Sequence, residues 1–216
     1  PNSPLSAAEG AVKKWILIAL VTLGAYHGWT QRGDHRFEPP PPLVSAPPVA
    51  VEQEPFQQAL DAGALQFRKK DYQFTTLAAF SMSAHVISTK EYSFDRVADF
   101  APVDFALGWG RMSDPAVLGR IEVSQSGRWY HWRYSGQPPI PTREIEIYSA
   151  NMHMIPSSGE IEKKLKSVRA GQIVALKGYL VEVRGKDGWS WKSSLTREDT
   201  GPGACETIFV QELDLR

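Results

Sequence analysis

Gln172–Val183, QIVALKGYLVEV, is the stretch on which the fold turns. Ile, Val, Leu and Tyr dominate it, the composition of a strand. It is long for a strand, and Gly178 near its middle predicts a bulge or a sharp bend. Upstream, Ser157-x-x-Glu160 reads as a helix capping box. Ile161, Leu165 and Val168 then recur at helical spacing, and Gly171 stops that helix. Downstream, Lys186-Asp187-Gly188 turns the chain into a strand over Trp189–Leu195, and Cys205–Val210 (CETIFV) reads as a closing strand.

Working further out, Tyr72, Phe74, Thr76, Ala78 and Phe80 alternate with period two, and another strand is expected over His85–Ser88. Asp114-Pro115 opens a short helix, with Asp as the cap and Pro at its first position. Arg128–Tyr134 (RWYHWRY) alternates again, and Glu144–Tyr148 sets Ile145 and Ile147 on one strand face. Phe56–Lys70 predicts a short helix weakened by Gly63. Many strands and two or three short helices predict an α+β, β-rich domain, a small barrel or mixed sheet rather than a doubly wound one.

The N-terminal quarter is of another kind. Lys14–Trp29 (KWILIALVTLGAYHGW) is the only long apolar run, with Lys13 and Lys14 upstream and Trp15, Tyr26 and Trp29 where aromatic rings favour headgroups. It is short for a span of about 20 residues, and lysine stems extend its reach. Residues 14–30 are therefore expected to be a transmembrane anchor in the lipid bilayer. A cleavable secretory signal is the competing reading, opposed by the lack of a small-residue cleavage site after Leu23. Residues 1–13 become a short cytoplasmic tail, 31–55 a charged and Pro-rich linker, and 56–216 an extracytoplasmic domain on a single-pass protein of the cytoplasmic membrane. Pro39–Pro48 (PPPPLVSAPP) is expected to be a semi-rigid polyproline spacer.

The 24 basic and 24 acidic side chains balance to zero. A neutral chain lacks the broad positive field on which nucleic-acid binding relies. One cysteine, Cys205, excludes an intrachain disulfide. No metal-ligand spacing is present, and no cofactor motif.

Cys205, His153, Asn151 and Glu206 are the residue types of a thiol nucleophile, its imidazole base and an orienting amide or carboxylate. With no spacing rule to join them, they support only as an alternative function a membrane-tethered Cys–His hydrolase or transpeptidase. The plainer alternative makes Cys205 a small apolar residue opening a strand. Ser193–Gly203 (SSLTREDTGPG) offers an anion loop centred on Arg197, or a simple turn.

Trp109, Trp129, Trp132, Trp189 and Trp191 all fall in the expected exported domain. Rigid aromatic faces carry much contact energy in recognition surfaces. Trp189 and Trp191, two apart on one strand, share a face. With Trp132, Trp109 and Arg197 they make the preferred function a binding or scaffolding one, toward a protein or an envelope polymer. An anchor ahead of an exported β-rich domain is also similar in layout to the signal peptidases. His153-Met154-Ile155-Pro156 resembles their S-M-x-P box. Histidine stands where that family's serine acts, and Lys177 has no nucleophile to deprotonate, so the activity is not carried over.

Overall fold

A computed structural model describes residues 41–60 and 64–216 of the chain. These form a β-rich body around one mixed sheet. The strands are β1 (Phe56–Ala59), β2 (Gln66–Lys69), β3 (Tyr72–Glu91), β4 (Val103–Gly108), β5 (Glu122–Ser126), β6 (Trp129–Arg133), β7 (Ser149–Pro156), β8 (Ile173–Gly185), β9 (Ser190–Lys192) and β10 (Glu206–Leu215). Three short helices are α1 (Pro115–Leu118), α2 (Thr142–Ile147) and α3 (Gly159–Ser167).

Five strands pair in a closed circuit. β3 pairs antiparallel with β4, β4 with β7, β7 runs parallel to β10, β10 pairs antiparallel with β8, and β8 returns to β3. β3 closes the circuit because its 20 residues serve two partners: Tyr72–His85 meet β8, and His85–Glu91 meet β4. Register shifts at Thr76/Ala78 and Val86/Ser88 bend it between them. The expected strands over 72–80 and 85–88 are thus one element.

Phe80, Met82, Ala84 and Val86 turn to the interior of this circuit, beside Phe105, Leu107, Met152, Met154, Leu176, Leu180 and Ile208. Ile161 and Leu165 of α3 complete that core. Gly178 is not a bulge. It stays in register with Phe80 and Val210, and a Cβ there would lie 1.9 Å from the Phe209 carbonyl oxygen. Glycine is present because two backbones touch; the register shift lies across the ladder, at Val210/Glu212.

A second cluster covers the outer face of β3 and β8. Phe67 stacks on Phe74 at 5.0 Å and meets Phe209 at 4.6 Å. The expected helix over 56–70 is therefore replaced by β1 and β2. Both pair with β3, where Phe67 gains an aromatic partner that a helix marginal in length and broken by Gly63 does not supply. The expected strand at 144–148 is likewise a helix, α2: Ile145 is buried while Tyr148 N–H donates to the Glu144 carbonyl. The cap of α3 is Ser158, not Ser157, and accepts from Ile161 N–H.

The Pro-rich segment is corrected too. Over the described residues 41–48 it is a strap lashed to the body, not a stand-off spacer. The Gln211 side chain accepts from Val44 N–H and donates to the carbonyls of Pro41 and Pro42. Tyr179 and Ser81 hydroxyls donate to the carbonyls of Pro42 and Pro47, and Val44 is buried. Proline carbonyls have no competing N–H partner in an extended strap, so body side chains bind them.

Among the described residues no helix is long and apolar enough to cross a membrane. The expected anchor at 14–30 lies outside them.

Candidate functional site

Strand pairing sets Asp104, His153 and Thr207 in one row across β4, β7 and β10. Asn151, two residues before His153 in β7, shares its face, and Cys205, in the bend just before β10, is hydrogen-bonded by Asn151. Asp104 and His153 are fully buried, and the carboxylate Oδ1 lies 3.0 Å from His153 Nδ1. A lone Asp in the apolar strand VDFALG is stable only with partners, and it has several. Arg128 Nη1 donates to it at 2.8 Å and the Asn151 amide at 3.3 Å.

Arg128 fixes the β5–β6 ribbon over this row. It holds φ 71° next to Gly127, a left-handed turn that aims its side chain inward. Its guanidinium also donates to Asp95 and to the Ala101 carbonyl, and lies 3.8 Å from the Tyr92 ring centroid. The Arg128 carbonyl accepts from Asn151, whose own oxygen accepts from Gln125 at 2.7 Å. Burial opposes ionisation of Asp95, yet Arg128 and Ala98 N–H hold its carboxyl below the usual range.

Two adjoining cavities open beside the row, and both are lined by Trp129 and Cys205. The first, about 210 Å³, has Trp109, Trp132 and Tyr130 among its walls, with Asn151, Arg197 and Glu206 among its polar groups. The second, about 230 Å³, reaches His153, Trp191 and Lys192. The 193–205 loop is held over the first cavity from within. Thr207 N–H donates to Ser193, and the Ser194 hydroxyl donates to Asp199 at 2.7 Å.

Glu206 is buried, and Arg197 Nε lies 2.6 Å from its Oε1. Burial pushes the Glu206 carboxyl up to about 7 against the pull of Arg197. Arg197 is thus committed to a carboxylate and to Gln57, not open for an anion. Cys205 is half-buried. Burial and the nearby carboxylates of Glu206 and Asp104 push its thiol up to about 12, although Asn151 hydrogen-bonds it. No hydrogen bond joins its Sγ to His153; the imidazole Nε2 has no hydrogen-bond partner among the described residues. Trp191 packs edge-on against that ring at 5.1 Å and donates to Thr207.

The tryptophans divide. Trp189 is half-buried under the Arg96 guanidinium, 4.5 Å away, and packs near Tyr72 and Phe100. Trp191 is half-buried as well, so this pair supports the outer core more than it presents a surface. Trp132 stacks on Tyr134 at 6.1 Å. Trp109 is 1% exposed and Trp129 39%. Asp104 and Arg128 are the site residues that sequence reasoning did not single out, and Trp129 stood there only as one of five tryptophans. The charge inside VDFALG and the Gly127-Arg128 turn were the available signals.

Among the described residues no cluster of three or more His, Cys, Asp or Glu side chains is arranged to hold a metal ion. Lys177 pairs with Glu212 at 3.6 Å. Comparison with family models, with curated proteins and with solved structures finds no match to this chain.

Proposed function

We propose that the chain is a membrane-anchored envelope protein whose β-rich body is a binding module. It takes a side group of a protein or envelope polymer into the tryptophan-lined cavity beside Cys205. One observation carries this reading. Trp109 Nε1, a donor, and Glu206 Oε2, an acceptor, are both buried without a hydrogen-bond partner, and both residues line that cavity. Each unsatisfied buried group costs about 1–3 kcal/mol, and a ligand with an acceptor and a donor offsets both. The cavity is smaller than the about 300–1,000 Å³ of drug-sized sites, which suits a single inserted group.

The strand circuit supports the reading. Order β3-β4-β7-β10-β8, with α3 between its third and fourth strands in the chain, is that of a five-stranded Greek-key barrel of the oligonucleotide- and oligosaccharide-binding type. Such barrels bind beside the connection between their last two strands; here that connection is 186–205, which carries β9 and lines the cavity from Thr196 to Cys205. A neutral chain with Glu146, Asp199 and Glu206 at the cavity speaks against a phosphate backbone.

A Cys–His hydrolase or transpeptidase is the second reading. Cys205 and His153 line one cavity, and Asp104 stands behind the imidazole. The raised thiol and the missing thiol–imidazole bond weigh against it. Titration of the full chain in detergent with disaccharide-peptide fragments of envelope polymer separates the two. Binding predicts a saturable fluorescence change that Trp129→Ala weakens at least tenfold. No change with any fragment, joined to Cys205-dependent cleavage of them, replaces the first reading with the second.

A further inference from the structure

Resting on that reading, we infer that the group entering the Trp129 cavity is a small organic cation, an alkylammonium that also carries an oxygen. Three indoles and a phenol line the space: Trp109, Trp129, Trp132 and Tyr130. The Tyr130 hydroxyl is already bonded to Ser149, so its polar end is occupied and its ring is what remains to be offered. Aromatic rings carry negative potential on their faces, and Trp attracts cations most strongly.

The charges at the cavity run the same way. Glu146, Asp199 and Glu206 line it against a single cation, Arg197, which is spent on Glu206. Arg143 pairs with Glu146 from outside the lining at 3.2 Å, and Asp199 accepts only a neutral Ser194 hydroxyl among its described hydrogen bonds. A desolvated cation needs both a carboxylate and an aromatic wall, because rings alone do not replace its hydration shell. Glu206 Oε2 supplies an unpartnered acceptor, 1% exposed as a residue, for an ammonium or a polarised N–CH group. Trp109 Nε1–H is the unpartnered donor, and a cation alone leaves it unanswered. The ligand's oxygen answers it. An anion meets the carboxylates of Asp199 and Glu146 and finds Arg197 already paired with Glu206, and a neutral apolar group leaves both orphaned atoms unpaired.

Choline is the probe, since it joins a quaternary ammonium to a hydroxyl. 3,3-Dimethylbutan-1-ol has the same shape and hydroxyl without the charge. Fluorescence titration of the full chain in detergent, with sodium chloride matched throughout, is expected to show choline binding at least tenfold tighter than the neutral alcohol. Trp129→Leu, which keeps an apolar wall, is expected to abolish that preference. Glu206→Gln is expected to do the same; should the loss of Arg197's partner unfold the body, Asp199→Asn at the exposed rim lowers choline affinity several-fold and leaves the alcohol unchanged. Equal affinity for the two probes overturns the cation inference while the cavity remains a binding site. No binding of choline also overturns it, and the fragment titration above then decides separately whether the binding reading stands.

Discussion

At Gly178 there is no room for a side chain, since a Cβ would sit 1.9 Å from a carbonyl oxygen of the neighbouring strand. Gly178→Ala is expected to cost at least about 3 kcal/mol or to abolish folding, read by urea denaturation, because backbone rather than a movable side chain must give way. Glu206 makes a pH prediction. Its folded-state carboxyl is raised from 4.5 to about 7 by burial, so between those values the folded chain holds a proton that the unfolded chain has released. Stability contributed by this group is full below about 4.5 and declines as pH rises toward 7. Relative to the parent, Glu206→Gln removes a slope on the order of 2 kcal/mol across that window, measured by denaturation at several pH values. Cys205, raised to about 12, is expected to react with iodoacetamide at pH 8 at least tenfold more slowly than the unfolded chain. Fast labelling of the folded chain revives the thiol hydrolase. Sequence alone picked out Cys205, His153, Asn151 and Glu206 as residue types, because chemistry-bearing side chains are rare enough to notice. It could not single out Asp104 and Arg128, whose importance lies in contacts across 24 residues of chain.

Among elements, β8 and α3 were legible because each carries its own signal: a β-rich apolar run, and a cap followed by helical spacing. β1 and β2 were not. Their local pattern favours a weak helix, and only β3, continuous over 20 residues, turns that pattern into strands. The strap was hidden for a similar reason, since proline composition sets an extended shape and says nothing of what lies beneath it. Gln211 holds it with three hydrogen bonds to Pro41, Pro42 and Val44. Gln211→Ala is expected to lower stability by about 1–3 kcal/mol and to open residues 41–48 to proteolysis. Unchanged cleavage there means the strap is held by burial of Val44 instead. Hydrogen exchange at Val44 N–H, bonded at 3.0 Å to the Gln211 side chain, reads the same event directly.

For the whole molecule, β-richness was legible from counting strand signals, whereas the closure of the circuit was not, because pairing of β3 with both β4 and β8 is a property of no single segment. The proposed address is testable at this scale: the full chain is expected to resist extraction of membranes at alkaline pH, and removal of residues 1–37 to release it. Loss from the membrane fraction without that removal overturns the anchored reading. The strap has one further consequence, in the order of synthesis. Its partner Gln211 is made 167 residues after Val44. Until Gln211 emerges, the strap lacks the side chain that makes three of its hydrogen bonds, and Val44 N–H has no acceptor. The strap, made ahead of the strands it crosses, is thus among the last segments to settle.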